Sequence, residues 1–385
     1  MKMELTLDKN SISKELLFIL DLICDKKSDS YEEVDWEEFL IHTQHHRVYP
    51  LLYSKVKQLE HMIPDFVRQS LYSDYKHNIF QMLRLRAEMS GIHELFFEVQ
   101  IQTLFLKGPI LAEELYGDLS LRTCSDIDLL IPLNQLEYAE SLLINLGYEK
   151  DDYIETVLND WRWRHHHVTY YHPIKKIKVE VHWRMHPGPG KEPTFDVLWE
   201  RRRVDKITGT AVYYLGREDL FLFLTAHGAR HGWSRLRWLT DMYYLSEQDL
   251  DWSLLYKLFQ VYSSPHLCGQ VLILLSHLLD MKLREEMNPF ISRKALRLAQ
   301  EALFYLENRV QLHTKPLAIE VANYHKRYLV RLMSFKQLSL FALSTLHPFP
   351  EDAQTLPLPV RLHFLYFPLR PFLWIWRKSR KVAVT

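Results

Sequence analysis

The sequence has few of the residues that mark several common classes of protein. Glycine is scarce, with 11 in 385 residues, and this argues against a glycine-rich dinucleotide-binding fold. The three cysteines, Cys24, Cys124 and Cys268, are widely separated, so they predict neither a disulfide framework nor a zinc site. No apolar run reaches the roughly 18 residues that span a bilayer, and residues 1–27 lack the layout of a signal peptide. We therefore expect a cytoplasmic protein.

The chain also lacks an excess of charge of either sign. Its 48 acidic and 48 basic residues cancel, so no net field recruits nucleic acid. Hydrophobic residues make up 47% of the chain, which is enough to build two or three packed units at this length. Composition therefore predicts a globular protein without indicating its partner.

Helical periodicity dominates both ends of the sequence, and strand patterns are confined to its middle third. Helices are predicted at 12–25, 35–46, 63–98, 110–116, 136–146, 252–260, 267–279, 292–307 and 318–342, and the segment 218–245 is predicted to form one long helix or two abutting ones. Strands are predicted at 101–106, 126–131, 165–171, 177–183 and 211–215. This order predicts an α+β fold, in which a small mixed-sheet domain (101–216) lies between helical regions (1–100 and 217–385).

Two carboxylates stand out in the second predicted strand. Asp126 and Asp128 are separated by one residue, and side chains alternate across a strand, so both point to the same face. Adjacent acids repel unless a cation lies between them. Mg²⁺ binds one or two carboxylates and completes its shell with phosphate oxygens. The pair therefore predicts metal-dependent phosphate chemistry.

A third acid lies in the strictly alternating run Lys178-Val179-Glu180-Val181-His182. Glutamate is depleted in strands and costly to bury alone. If this strand lies next to the first acidic strand, Glu180 completes a cluster able to hold two Mg²⁺ ions. The alternative is a solvated acid on an edge strand.

The end of the first strand has features of a phosphate-binding turn. Lys107-Gly108-Pro109 follows the apolar run 101–106; glycine allows a tight turn, and proline suits the first helical position. Free N–H groups at a helix start favour phosphate. The pair Lys107 and Gly108 alone is weak evidence for a phosphate-binding turn, and the two acids on the next strand make that evidence much stronger.

Together these motifs resemble the nucleotidyltransferase fold of the DNA polymerase β superfamily, and more closely the bacterial family called uncharacterised nucleotidyltransferase. The resemblance covers most of residues 30–250. Its further motifs are Asp35-Trp36, the run 46–52, Arg122 ahead of the acids, the run 180–184, Ala226-His227-Gly228-Ala229-Arg230-His231 and Trp238-Leu239-Thr240-Asp241. One departure is Pro109, which stands where the superfamily usually has a serine whose hydroxyl contacts phosphate.

The resemblance implies a transferase that moves a nucleoside monophosphate from an NTP, such as ATP, to a hydroxyl acceptor and releases pyrophosphate. Asp126, Asp128 and Glu180 would hold two Mg²⁺ ions, with Mn²⁺ as the substitute. Lys107, Gly108 and Arg122 would hold the triphosphate. The acceptor would be a small molecule, a sugar, a protein or an RNA end. The alternatives are an inactive scaffold protein with this fold and a toxin-like enzyme that modifies tRNA.

Histidines supply further candidates. His182 is a possible substrate contact that is expected to border the acidic pocket without binding metal. His227 and His231 are four residues apart on a predicted helix, near Arg235. These two histidines and Arg235 are candidate substrate contacts, or else part of a polar packing network. The run 165–167 consists of three histidines whose side chains alternate between the two faces of a predicted strand. They are either substrate contacts or ordinary polar positions of that strand.

The segment 357–381 combines aromatic and basic residues. Such a composition can contact a membrane surface. Four prolines, at 357, 359, 368 and 371, are expected to break any long helix there. Packing against the body of the protein is the other interpretation.

Overall fold

The structure is a computed structural model that describes residues 6–26, 34–59, 62–206, 211–312, 314 and 316–382. Residues 1–5 and 27, part of the segment in which no signal peptide is predicted, lie outside these ranges. Within them, no helix is both long enough and apolar enough to cross a membrane. The fold is α+β, as predicted, with a mixed sheet in the middle of the chain and helices on both sides in sequence.

Seven strands within the described residues form one mixed sheet in the order β3-β4-β5-β2-β1-β7-β6. The strands are β1 (Leu104–Phe105), β2 (Asp126–Leu130), β3 (Glu149–Lys150), β4 (His167–His172), β5 (Ile177–His182), β6 (Arg203–Lys206) and β7 (Ala211–Tyr214). The pairs β2–β5 and β1–β7 are parallel, and the other neighbours are antiparallel. The two acidic strands are therefore direct neighbours at the centre of the sheet.

The α-helices before and within the sheet region are α1 (Lys14–Ile23), α2 (Trp36–His46), α3 (Tyr49–Val56), α4 (Asp65–Glu98), α5 (Pro109–Tyr116), α6 (Leu136–Asn145), α7 (Trp161–Arg164) and α8 (Phe195–Glu200). Those after it are α9 (Arg217–Arg230), α10 (Leu236–Ser246), α11 (Trp252–Tyr262), α12 (Pro265–Leu278), α13 (Arg293–Glu307), α14 (Ile319–Leu332), α15 (Phe335–Ser344), α16 (Pro350–Thr355) and α17 (Tyr366–Val382). Short 3-10 turns at Lys57–Leu59, Leu119–Leu121, Leu133–Gln135, Glu285–Phe290 and Val360–Leu365 join some of them.

The two faces of the sheet pack into different cores. On one face, Ile127, Leu129 and Val179 are fully buried with residues of α4 and α6. On the other face, Leu130 joins a larger core made by the N-terminal and C-terminal helices. Because β2 alternates, Asp126 and Asp128 lie on the same face as Leu130. The acids therefore face the helices that follow the sheet in sequence.

Several helices begin or end at residues whose types are typical of helix ends. Asp35 caps α2, and its carboxylate accepts hydrogen bonds from the N–H groups of Glu37 and Glu38. The segment 218–245, predicted as one long helix or two abutting ones, forms two helices. They are separated at Gly232, whose φ is +64° and whose missing Cβ makes room for Tyr305. The segment 318–342 also forms two helices rather than one, because Ser334 starts α15 with a capping box.

The C-terminal prolines do not prevent a helix, contrary to expectation. Helix α17 begins at Tyr366 and continues through Pro368 and Pro371. Pro368 lies in the first turn, where its missing N–H would have no helical partner, whereas Pro371 lies inside the helix. Several aromatic side chains of α17 are half exposed or more, among them Phe372, Trp374 and Trp376. Contact between this segment and a membrane surface stays a prediction.

Candidate active site

The register between β2 and β5 brings the predicted acids together. Asp126 pairs with Lys178, and Asp128 pairs with Glu180. All four side chains lie on one face, while Val179 and Val181 are fully buried on the other. The sequence alternation therefore becomes a compact group of charges in the middle of the sheet.

Lys107 reaches this group from the neighbouring strand end. Gly108 has a φ of +93°, a conformation that L side chains rarely adopt, and Pro109 begins α5 directly after it. This turn places the Lys107 ammonium 3.7 Å from Asp128 Oδ1 and 5.2 Å from the ring centre of Phe223 on α9. Lys107 thus connects the acidic strands to the C-terminal helices.

His182 and Asp128 are in direct contact in the interior. The Nε2 atom of His182 lies 3.2 Å from Asp128 Oδ1 and 3.7 Å from Glu180 Oε2. The side chains of His182 and Asp128 are each 3% exposed. Ligand atoms of Asp128, Glu180 and His182 all lie within 4.8 Å of one another. Two carboxylates and an imidazole at this separation fit a divalent metal ion.

Two further histidines extend this group from β4. His167 pairs with His182 across the strands, and its Nε2 lies 3.8 Å from Glu180 Oε2. Its Nδ1 lies 3.1 Å from Nε2 of His166. Strand β4 begins at His167, so His166 lies before the strand and the alternation of side chains predicted for 165–167 does not apply to it. His166, His167 and His182 form a second group whose ligand atoms lie within 4.8 Å.

Lys178 connects the remaining predicted acid to the group. Its ammonium lies 3.0 Å from Asp126 Oδ2 and 2.6 Å from Glu180 Oε1. One oxygen of Glu180 therefore faces Lys178, and the other faces the histidines. Asp126 lies on the Lys178 side, and Asp128 lies on the histidine side.

Burial and charge have opposite effects on the acidity of these groups. Burial would raise the pKa of Asp128, but Lys107 and the hydrogen bond from His182 lower it below its ordinary value. Burial would also raise the pKa of Glu180, but its contacts with His182, His167 and Lys178 lower that pKa below its ordinary value. The pKa of His182 is raised by Asp128 and Glu180 against the effect of burial. The shifts favour ionised carboxylates beside a cationic imidazole.

The histidines of α9 and its C-terminus line the approach to Lys107. The rings of His227 and His231 are 4.6 Å apart, and both lie against Trp238. Burial, followed by the charge of Lys107, lowers the pKa of His227 well below its ordinary value. His227 is therefore a neutral group near the site, which is compatible with both the contact and the packing interpretations.

Arg230 is a cation without a protein partner near the same group. It is partly buried, and among the described residues its guanidinium makes no hydrogen bond or ion pair. Burial lowers the pKa of Arg230 to about 10, and no carboxylate opposes this effect. Its charge in turn lowers the pKa values of His166, His186 and His227, secondary to their burial. A partly desolvated guanidinium without an anion favours the binding of one.

The structure directs Arg122 away from the predicted triphosphate. Its side chain is 1% exposed, and it donates two hydrogen bonds, of 2.8 and 2.9 Å, to the carboxylate of Asp241 on α10. Tyr116 donates to the same carboxylate at 2.8 Å. A guanidinium held in this way cannot reach a nucleotide without breaking a buried pair. Its geometry instead links the start of β2 to the C-terminal helices.

Arg235 lies in a different environment from the acids. It donates a hydrogen bond to the carbonyl of His45 and, with Arg47 and Arg309, lines a cleft of about 760 Å³ between α2 and residues 308–311. The predicted site residues thus divide into two sets. The structure groups Lys107, Asp126, Asp128, Glu180 and His182, and it places Arg122 and Arg235 elsewhere.

Sequence reasoning did not predict the contacts that Lys178 and His167 make with the acids, and it gave Arg230 no site role. Lys178 was on the predicted face, but its bridge between two acids depends on strand register. The contact of His167 likewise depends on the antiparallel pairing with β5. The position of Arg230 could have been predicted from the sequence, because it lies three residues after His227 and therefore on a neighbouring part of the same helical surface.

A comparison with protein families gives a match over most of the chain. A family model described as "Uncharacterised nucleotidyltransferase" matches residues 32–280. The matched region contains the turn at Gly108, both acidic strands and helices α9 and α10. No curated protein and no solved structure matches the chain.

Proposed function

The chain belongs to the uncharacterised nucleotidyltransferase family, whose members transfer phosphorus-containing groups, and on that premise we propose its reaction. A hydroxyl of an acceptor attacks the α-phosphorus of an NTP. The bond from that phosphorus to the oxygen bridging to the β-phosphate breaks, and its electron pair leaves with pyrophosphate. The product is the acceptor esterified with a nucleoside monophosphate.

The observation that supports this proposal best is the pairing of Asp128 with Glu180 on adjacent parallel strands, beside Lys107. The donor atoms of Asp128, Glu180 and His182 fit a divalent ion. In the proposed site, Asp126, Asp128 and Glu180 hold divalent ions, for which the sequence predicts Mg²⁺ with Mn²⁺ as the substitute. Such ions would polarise the α-phosphoryl group and neutralise charge that develops on the transferred group.

The residues of the chain carry out the remaining steps. The carboxylate of Glu180 or Asp128 accepts the proton of the attacking hydroxyl, because both acids are ionised and face the same space. Lys107 and Arg230 balance the charge of the triphosphate. We assign this role to Arg230 instead of Arg122, because the guanidinium of Arg230 has no anionic partner among the described residues. Positioning and charge neutralisation supply most of the rate enhancement.

In the proposed complex, His227 and His231 contact the nucleotide or the acceptor; their mutual contact and the effect of Lys107 on the pKa of His227 support this assignment. Clefts between a sheet and neighbouring helices are common substrate sites. The cleft at Arg235 offers a second cationic surface for a phosphate-bearing part of the acceptor. The acceptor proposed here is any compound with a free hydroxyl.

The experiment that tests the proposal measures pyrophosphate released from each NTP in the presence of divalent metal and fractionated cell extract. Wild-type protein is expected to release pyrophosphate with at least one fraction, and Asp128→Asn is expected to release none. Asp152→Asn is the matched control, because Asp152 is an exposed acid outside the site. Release that is equal in wild type and Asp128→Asn contradicts the proposal.

A further inference from the structure

The acidic group includes imidazole nitrogens that the sequence-based metal assignment leaves out. His182 Nε2 lies closer to Asp128 than any other cationic group of the site does, at 3.2 Å compared with 3.7 Å for Lys107. It also lies 3.7 Å from Glu180. A carboxylate oxygen of each acid and one imidazole nitrogen therefore surround a common point. This arrangement differs from a site made of oxygen ligands alone.

The separations are close to those found around a bound transition metal. With bonds of about 2.0–2.2 Å to nitrogen and oxygen, neighbouring ligands of one ion are roughly 2.9–3.5 Å apart. The contact between His182 and Asp128 already has this length. The contacts of Glu180 with His182 and His167, at 3.7 and 3.8 Å, need to shorten by only a few tenths of an ångström.

His167 supplies a fourth donor on the same side. It points Nε2 at the Glu180 oxygen that also faces His182, whereas the other oxygen of Glu180 is bound by Lys178. Lys178 therefore leaves one oxygen of Glu180 available on the histidine side. Asp128, Glu180 and His182 form one compact group, and His167 adjoins it through its contact with Glu180 and shares a second group with His166 and His182. His166 lies next to this set, with its Nε2 atom 3.1 Å from Nδ1 of His167.

The chemistry of this donor set determines which ion it selects. Mg²⁺ takes oxygen ligands and keeps several waters, whereas imidazole favours Zn²⁺ and other first-row transition metals, and carboxylates accept Mn²⁺.

We propose that Asp128, Glu180, His182 and His167 form a mixed carboxylate–imidazole centre that binds a first-row transition-metal ion, Zn²⁺ or Mn²⁺, in preference to Mg²⁺. This inference rests on the proposed function for the role of the centre in catalysis, but metal binding can be measured without turnover. His182 is a ligand in this account, rather than a residue that only borders the pocket. The Asp126 side of the site, bridged by Lys178, remains the place for an ion bound by oxygen ligands.

The test measures metal binding to the purified full chain by equilibrium dialysis with Zn²⁺, Mn²⁺ and Mg²⁺, with elemental analysis of the bound ion. Wild type is expected to bind one Zn²⁺ or Mn²⁺ at least about tenfold more tightly than Mg²⁺. His182→Ala and His167→Ala should each weaken binding of the transition metal by at least about tenfold, while Mg²⁺ binding changes far less. His77→Ala is the control, because His77 is an exposed histidine outside the group.

The thermal unfolding of each metal-free variant shows whether it has folded. If His182→Ala does not fold, His167→Ala decides the question, because its side chain is 21% exposed and lies at the edge of the group. Equal affinities for Mg²⁺ and Zn²⁺, or unchanged Zn²⁺ and Mn²⁺ binding in the folded histidine variants, would overturn the proposal. Failure of the proposed function gives a different result: metal binding as predicted, with no pyrophosphate release under any metal.

Discussion

Replacing Arg122 by methionine removes a guanidinium that is buried against Asp241. Both side chains are 1% exposed, and two hydrogen bonds join them. Removing one partner of such a pair leaves an uncompensated buried charge, at a cost of about 3–5 kcal/mol. Because Tyr116 still donates to Asp241, we expect a loss in the lower half of that range, about 3–4 kcal/mol of unfolding free energy.

The assay is equilibrium unfolding in denaturant, followed by circular dichroism and by tryptophan fluorescence. Arg297→Met is the control, because the 65% exposed Arg297 pairs with Glu301 at the surface, where an ion pair contributes at most about 1 kcal/mol. The double variant Arg122→Met with Asp241→Leu should recover most of the loss, since an apolar replacement of both partners is often neutral. Unchanged stability of Arg122→Met, with weaker nucleotide binding, would refute this reasoning and assign Arg122 to the triphosphate.

Four further outcomes are expected. Arg230→Met should weaken nucleotide binding by about 1.5–3 kcal/mol, the value of a hydrogen bond to a charged group, without loss of stability in denaturant melts; a stability loss with unchanged affinity would mark it as structural. Lys178→Met should lower the melting temperature of the metal-free protein, because Asp126 and Glu180 then repel each other. The same variant should show a larger rise in melting temperature when divalent metal is added. An unchanged rise would contradict the role of Lys178 as a bridge between the two acids. His231→Ala should reduce nucleotide or acceptor affinity more than melting temperature, and the reverse result would identify packing. Burial lowers the pKa of His266 to about 4, so the unfolded chain binds more protons than the folded chain between pH 6.5 and 4. Wild type should therefore lose roughly 2–3 kcal/mol more than His266→Gln as the pH falls through this window. Equal losses in denaturant titrations at pH 7 and pH 4.5 would exclude that linkage.

The sequence predicted the acidic face of the site because it depends on a short-range rule. Alternation along a strand places Asp126 with Asp128 and Glu180 with His182, whatever the rest of the fold does. The turn at Gly108 was also predictable, because few other residues adopt its positive φ. The nearness of the two acidic strands came from the family resemblance, since the chain between them does not determine which strands pair.

The contacts that sequence reasoning did not predict depend on register and on tertiary packing. Lys178 binds Asp126 only because β5 pairs with β2 at that register. Arg122 was expected at the nucleotide, but burial against Asp241 requires helix α10, which lies more than a hundred residues further along the chain. The helix through Pro371 was not expected, because a proline inside a helix removes a backbone hydrogen bond and usually kinks or ends the helix.

The most direct test of the central claim compares the fate of two labels from one nucleotide. Wild-type protein with divalent metal and an acceptor-containing extract is incubated with NTP labelled at the α-phosphate or at the γ-phosphate. The account predicts that the α label becomes attached to the acceptor and the γ label leaves as pyrophosphate, with neither event in Asp128→Asn. Attachment of the γ label, or attachment of the α label by Asp128→Asn at the wild-type rate, would contradict it.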